Sequence, residues 1–299
     1  VEGDSGHGQC EPRSSTLPSS EFFTDISESS GIQLNNFVPD PPENIPINDH
    51  SRLAFVDMNG DGFDDIVMHS LYPNPAAGIP FEHLAFLNQG DGTFADHSDA
   101  SGLRDVQAGF FAFADVDNDG DQDAFAGLDL PNLGLTSVIL LNDGSGVYSP
   151  MAESGFELAQ PTASTATFAD FNADGNVDLF VGNGHTSYAV ADLLFWGQGD
   201  GRFVRDANAL QDAPAQPSNG SVSCDYDNDG DMDIAVASYG VSVNRGHNQL
   251  WRNDGDRFTN VATETGFAAL TTGNYFIAQT GYGTEPEPGA SAENMVGSN

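Results

Sequence analysis

Short apolar runs recur along the chain at a nearly constant interval. Ile66-Val67-Met68, Ala124-Phe125-Ala126, Leu179-Phe180-Val181 and Ile234-Ala235-Val236 each follow a stretch of Asp, Asn and Gly, and each has strand-type composition. A later apolar run in each unit ends in a Gly/Asp/Asn turn and then an aromatic, over residues 87–94, 141–148, 196–203 and 251–258. Such turns are hairpin signals, because glycine supplies the positive φ that a tight reversal needs. Each unit therefore predicts a strand, an acidic loop, a second and a third strand, a hairpin and a fourth strand. Four antiparallel strands of this kind make one propeller blade. The acidic stretches begin at Asp57, Asp115, Asp170 and Asp225, spaced by 58, 55 and 55 residues, and the aromatics Phe94, Tyr148, Phe203 and Phe258 follow them by 37, 33, 33 and 33. A period of this length with this strand content predicts an all-β fold: a β-propeller of four-stranded antiparallel blades rather than a helical solenoid.

The acidic stretches share one nine-residue pattern, an Asp/Asn ladder with glycine at position 6: Gly62, Gly120, Gly175 and Gly230. A hard divalent cation needs several oxygen ligands converging on it, and alternate positions of a tight loop supply them. Side-chain ligands come from positions 1, 3, 5 and 9. These are Asp57, Asn59, Asp61 and Asp65; Asp115, Asp117, Asp119 and Asp123; Asp170, Asn172, Asp174 and Asp178; and Asp225, Asp227, Asp229 and Asp233. Position 7 offers a backbone carbonyl from Phe63, Asp121, Asn176 or Asp231. A helix-flanked EF-hand would place a bidentate Glu at position 12, where this chain has Met68, Ala126, Val181 and Val236. The loops thus join strands, and about four Ca²⁺ ions are expected. Magnesium prefers a rigid octahedron with retained waters, and no cysteine pair has the spacing of a thiolate site. The plain alternative is a solvated acidic turn, which becomes a poorer account with each repetition of the ladder.

The segment Phe113-Ala114-Asp115-Val116-Asp117-Asn118-Asp119-Gly120-Asp121-Gln122-Asp123, with the Asn-Asp-Gly-x-Gly-x-aromatic hairpin behind it, resembles the FG-GAP/VCBS repeat. That family is similar to the integrin α-subunit propeller. The resemblance covers roughly residues 50–267. It implies a propeller with calcium in the loop between the first two strands of a blade, and it raises the expectation of an integrin-like binding or cell-adhesion role.

Repeats are placed at about 50–105, 106–160, 161–215 and 216–267, within one propeller domain spanning 21–299. Residues 1–20, rich in Ser, Pro and Gly, read as a flexible lead-in, and the proline-rich stretch at 39–46 as an insertion. Glu21-Phe22-Phe23-Thr24-Asp25-Ile26, with Gly31 eight residues after Phe23, parallels Phe258 and Gly266 and predicts the last strand of a blade. Residues 274–279 read as a first strand, with Thr280 falling 55 residues after Asp225, but Thr280, Tyr282 and Thr284 replace the carboxylates. A degenerate, metal-free fifth blade composed from 21–32 and 268–299 is the simplest closure. A larger propeller and strand complementation by a neighbouring subunit are the alternatives.

Composition bears on partners more than on fold. The net charge is −37, the chain contains no lysine, and the four loops hold 17 of the 45 carboxylates. Four Ca²⁺ ions would leave the surface strongly negative, so nucleic acid and direct membrane insertion are not expected. Weak calcium loops fill best outside the cell, which predicts a secreted or cell-surface protein whose signal peptide has been removed. Cys10 and Cys224 are the only cysteines; they suit either a disulfide or, for Cys224, a small buried residue. Asn219-Gly220-Ser221 is an isolated glycosylation sequon.

No catalytic motif is present. A lyase-like site could be assembled from His185, Tyr188 and Arg245, but a non-catalytic protein is expected. Trp196 and Trp251, at equivalent third-strand positions, are expected to pack between blades. The predicted function is an extracellular calcium-stabilised module for adhesion, binding or assembly, with a protein or glycan ligand and possible self-association. A self-assembling filament subunit and a polysaccharide-binding or polysaccharide-degrading propeller are the alternatives.

Overall fold

A computed structural model describes residues 24–32, 53–69, 82–128, 136–156, 162–184, 190–238, 247–255 and 257–268. Its strands form four separate four-stranded antiparallel sheets in a propeller-like array. Blade 1 contains β1 (Leu53–Val56), β2 (Asp65–His69), β3 (His83–Asn88) and β4 (Phe94–Asp96). Blade 2 contains β5 (Phe110–Ala114), β6 (Asp123–Gly127), β7 (Val138–Asn142) and β8 (Tyr148–Pro150). Blade 3 contains β9 (Ala163–Ala169), β10 (Asp178–Asn183), β11 (Leu193–Gly197) and β12 (Phe203–Asp206). Blade 4 contains β13 (Ser218–Cys224), β14 (Asp233–Ser238), β15 (Gln249–Asn253) and β16 (Phe258–Asn260). The strands follow chain order within every sheet, as the hairpin and loop signals require. Two single helical turns, α1 (Ser27–Ser30) and α2 (Ala262–Thr265), each end at a glycine in the left-handed conformation, Gly31 and Gly266.

The second strands are buried on both faces, which explains why their sequences are continuous apolar runs rather than alternating ones. The core lies between blades. Phe125 and Ile139 of blade 2 pack with Leu179, Val181 and Phe195 of blade 3. Val56 and Val67 of blade 1 meet Ala124, Ala126 and Leu140 of blade 2, and Phe180 and Leu194 of blade 3 meet Ile234, Val236 and Trp251 of blade 4. Trp251 is fully buried and Trp196 packs against the same cluster, so both tryptophans serve packing.

First strands of successive blades lie side by side. Thr165 and Thr167 of β9 share hydroxyl hydrogen bonds with Ser221 and Ser223 of β13, at 2.9 and 3.1 Å. Asn219, the residue of the isolated sequon, sits on β13, where its side chain accepts from Ser164 at 3.3 Å. Blades 3 and 4 are also joined through Asp192, which is buried just before β11. Its carboxylate accepts from the Asn183 N–H at 2.9 Å, the Ser218 hydroxyl at 2.9 Å and the Gln249 amide at 3.1 Å.

At the amino end, residues 24–26 of the predicted closing strand are not in a sheet among the described residues, and α1 follows them. The rest of that strand, with Cys10 and residues 269–299, lies outside the described structure. Cys224 is half-buried on β13.

The glycines that follow fourth strands explain the close blade spacing. A Cβ on Gly102 (φ 73°) would overlap the carbonyl oxygen of Tyr148 in the next blade, and one on Gly155 (φ 98°) would overlap that of Phe203. Gly102→Ala is therefore expected to cost more than ~2 kcal/mol. Gly92→Ala, at φ 88° in open space, is expected to cost only the ~1 kcal/mol of backbone strain. Urea denaturation of the two variants checks this ordering.

Burial raises the Asp192 carboxyl to about 6, and this outweighs the three donors that favour its ionised form. A raised folded-state value means that the native protein gains stability as pH falls from about 6 toward the unfolded-state value near 4. Asp192→Asn should remove that gain, seen as a smaller change in melting temperature between pH 7 and pH 4.5 than in the wild type.

Candidate metal centre

The four acidic loops connect the first and second strands of each blade and share one internal geometry. Asp at position 1 accepts the N–H groups of positions 5 and 6: Asp57 from Asp61 at 3.1 Å and Gly62 at 2.9 Å, with the same pairings at Asp115, Asp170 and Asp225. The position-5 carboxylates Asp61, Asp119, Asp174 and Asp229 accept the N–H of position 7 at 2.9–3.0 Å. These bonds curl the backbone back on itself, and in the fourth loop the carboxylate oxygens of positions 1, 3 and 5 lie together. The turn needs two left-handed residues. Position 6 is glycine throughout, whereas position 4 is Gly60, Asn118, Ala173 or Asn228, at φ 69°, 62°, 56° and 62°.

Position 9 has a second task. Asp65, Asp123, Asp178 and Asp233 have no exposed surface and begin the second strand of each blade. One oxygen accepts the position-2 N–H, from Met58, Val116, Phe171 or Tyr226, at 2.9–3.0 Å. The other accepts an N–H at the end of the third strand, from Asn88, Asn142, Gly197 or Asn253, at 2.7–2.8 Å. One carboxylate thus clamps the loop to two strands. Burial raises all four above the usual carboxylate range, Asp123 and Asp178 to about 6, against the lowering effect of the two N–H donors. Asp117 is raised by burial and by its neighbours Asp119 and Asp115.

Clustered carboxylates that raise one another in this way favour a cation among them. The oxygens of Asp115, Asp117 and Asp123 lie within 4.8 Å of one another, as do those of Asp225, Asp227 and Asp229. The donor set that these ladders offer is entirely oxygen and suits a hard divalent ion. In the first and third loops the amides of Asn59 and Asn172 donate to Asp61 and Asp174 at 3.0 Å, so the ladder there is partly satisfied internally. The position-7 side chains turn away and cover the hairpin between the third and fourth strands: Phe63 lies over Gly90 and Asp121 over Gly144.

Each of the first three loops is also bound to the following blade, a relationship with no short-range sequence signal. The position-2 carbonyl accepts from the next hairpin: Met58 from the Asn142 amide at 2.8 Å, Val116 from the Gly201 N–H at 3.0 Å and Phe171 from the Asn253 amide at 2.7 Å. Asn118 in the second loop donates to Asn176 in the third at 3.0 Å. The asparagines that end third strands could have been noticed from their repetition at 88, 142 and 253. The residues His185, Tyr188 and Arg245, considered above for catalysis, lie outside the described residues.

Residues 170–236, the third loop through the fourth, match the FG-GAP-like repeat family, and the sequence resemblance holds there. No curated protein matches the chain. Among solved structures the chain is similar to a lectin from Agrocybe aegerita studied for its specific recognition of non-reducing terminal N-acetylglucosamine. The two are 18% identical, the alignment covers 70% of this chain and 64% of the lectin, and the TM-score is 0.37. The chain therefore spans less than two thirds of that lectin's length.

Ala173 is a β-carbon residue in a left-handed position that two sister loops fill with Asn and one with Gly. Ala173→Asn should raise stability by ~0.5–1 kcal/mol, because Asn tolerates this conformation and hydrogen-bonds locally. A higher denaturation midpoint at unchanged slope is the expected result.

Proposed function

We propose that the protein is a calcium-braced β-propeller that acts outside the cell as a non-catalytic binding module. The observation that carries this reading is the segregation of the two ends of the blades. The four acidic loops and the four β3–β4-type hairpins share one end, where they hydrogen-bond from blade to blade. The unequal connections between second and third strands, and those between blades, fall at the other end. A rigid, braced scaffold carrying variable loops at one end is the usual arrangement of a recognition surface.

In each loop the oxygens at positions 1, 3 and 5, the carbonyl at 7 and the carboxylate at 9 would hold the ion. Bound calcium would supply the positive charge that the loop lacks and keep position 9 ionised. The strand clamp would then be strengthened, and through the position-2 carbonyl the interface with the next blade as well. The partner is a protein or a glycan. With a net charge of −37, a partner with a neutral or basic contact surface is favoured over an acidic one. No helix among the described residues is long and apolar enough to cross a membrane.

Melting in calcium and in chelator tests the metal half of this reading. A site held at a hundredfold excess of calcium over its Kd adds about 2.7 kcal/mol, so chelation should lower the melting temperature clearly. Asp115→Ala with Asp119→Ala should remove one site's share, and calorimetric titration should count one ion fewer. An identical melting curve in chelator would sink the proposal. A glycan array and a panel of extracellular proteins, probed in calcium, would then sort the partner class.

A further inference from the structure

The chain contains three Asn-Gly pairs, Asn59-Gly60, Asn183-Gly184 and Asn219-Gly220, and the fold treats them unequally. An Asn-Gly pair is open to ring closure between the side-chain amide and the next backbone nitrogen, because glycine has no Cβ in the way. Closure requires that nitrogen to be free and the Asn Cγ to lie over it. Asn183 is buried on β10; its oxygen accepts from the Thr162 hydroxyl at 3.1 Å, and the Gly184 N–H donates to the Thr162 carbonyl at 3.2 Å. Asn219 and Gly220 lie on β13, where the Asn219 oxygen accepts from Ser164 and Gly220 pairs with Ala237 of β14. The extended backbone of a strand keeps Cγ and the following nitrogen apart. Three asparagines that end third strands meet another obstacle: the nitrogens after Asn88, Asn142 and Asn253 are held by the carbonyls of Thr93, Val147 and Arg257.

Asn59-Gly60 occupies positions 3 and 4 of the first acidic loop, outside any strand. Gly60 is exposed at φ 69° with open space around it, and its N–H has no acceptor among the described residues. The Asn59 side chain folds back over this peptide: its oxygen accepts the Asp61 N–H at 3.2 Å, and its amide donates to the Asp61 carboxylate at 3.0 Å. The bond to its oxygen polarises the carbon that the Gly60 nitrogen would attack. We propose that Asn59 is a site of spontaneous deamidation, at which the first loop changes its own position-3 residue. The Gly60 nitrogen gives up its proton and bonds to Asn59 Cγ, the Cγ–Nδ2 bond breaks, and ammonia leaves with that proton. Water then opens the cyclic imide. Cleavage at Cγ leaves aspartate, the residue that the second and fourth loops have at position 3 as Asp117 and Asp227. Cleavage at the backbone carbonyl leaves isoaspartate, which runs the main chain through Cγ and lengthens it by one carbon. The spacing by which Asp57 accepts the N–H groups of positions 5 and 6 is then lost. Asn172 of the third loop makes the same two bonds, to Asp174 at 2.9 and 3.0 Å, but the Cβ of Ala173 behind it crowds the ring. The Asp61-Gly62 pair is closed to the same chemistry, because Asp57 holds the Gly62 N–H at 2.9 Å.

Ageing the full-length chain at mildly alkaline pH in metal-free buffer, once folded below its melting temperature and once in urea, tests the assignment by peptide mapping with mass spectrometry. In urea all three Asn-Gly pairs should convert at similar rates. Each conversion is read as the exchange of an amide NH2 for OH, and backbone fragments tell isoaspartate from aspartate. In the folded protein Asn59 should convert at least several-fold faster than Asn172, Asn183 and Asn219. Conversion of Asn183 or Asn219 as fast as Asn59 would overturn the proposal. So would an Asn59 that stays intact in the folded protein while it converts in urea. Gly60→Ala gives the first loop the residue that the third already has at this place, and should slow conversion at Asn59 several-fold. An unchanged rate in that variant would rule out attack by the residue 60 nitrogen, and the proposal with it.

Discussion

At the root of every blade a carboxylate is buried, and among the described residues no arginine forms an ion pair with it. Asp65, Asp123, Asp178 and Asp233 are closed off from solvent, and each holds a loop and a third strand through two backbone N–H groups. Burying a charge costs several kcal/mol unless hydrogen bonds or an opposite charge offset it. The arginines do not meet this need among the described ion pairs, which join Arg104 to Glu82 and Asp99, Arg202 to Asp200, and Arg252 to Asp254, all outside the loops. Backbone N–H groups supply part of the compensation, and the curled ladder beside each carboxylate is a place where a solution cation can supply the rest. The strong acidity of the chain is thus partly an architectural requirement, concentrated where a second strand begins.

The same loops carry the order of the array. Each of the first three loops belongs to one blade by sequence but is hydrogen-bonded to the next by its position-2 carbonyl, so anything that stiffens it acts on the interface as well. In a repeat protein whose units contact only their neighbours, stability is close to a sum of unit and interface contributions, and a device that serves both is efficiently placed. The hydroxyl ladder between β9 and β13 and the buried Asp192 tie blades 3 and 4 by different means, replacing the phenylalanines that line the corresponding strands of blades 1 and 2. These interfaces are not interchangeable, which specifies the sequence in which blades pack.

Much of this was determined by the sequence alone. The four second strands, the hairpins and the acidic loops stand where the apolar runs, the Asp-Gly turns and the 55-residue period put them, because these are local properties: strand composition, positive φ at glycine, alternation along a backbone. The packing of Trp251 and Trp196 against one inter-blade cluster followed from their equivalent places in the repeat. Tertiary structure decided what depends on a partner distant in sequence. It gave position 9 a clamp between strands, because only folding brings Asn88 or Asn142 to that carboxylate. It placed Ala173 in a left-handed turn against its own preference, since the loop's hydrogen bonds dictate the backbone there. It placed residues 24–26, expected as part of a strand, in no sheet among the described residues, since strand pairing depends on partners that local sequence does not name. Local preference writes the repeat, whereas the contacts between repeats come from residues more than fifty positions apart, and no short stretch of sequence contains them.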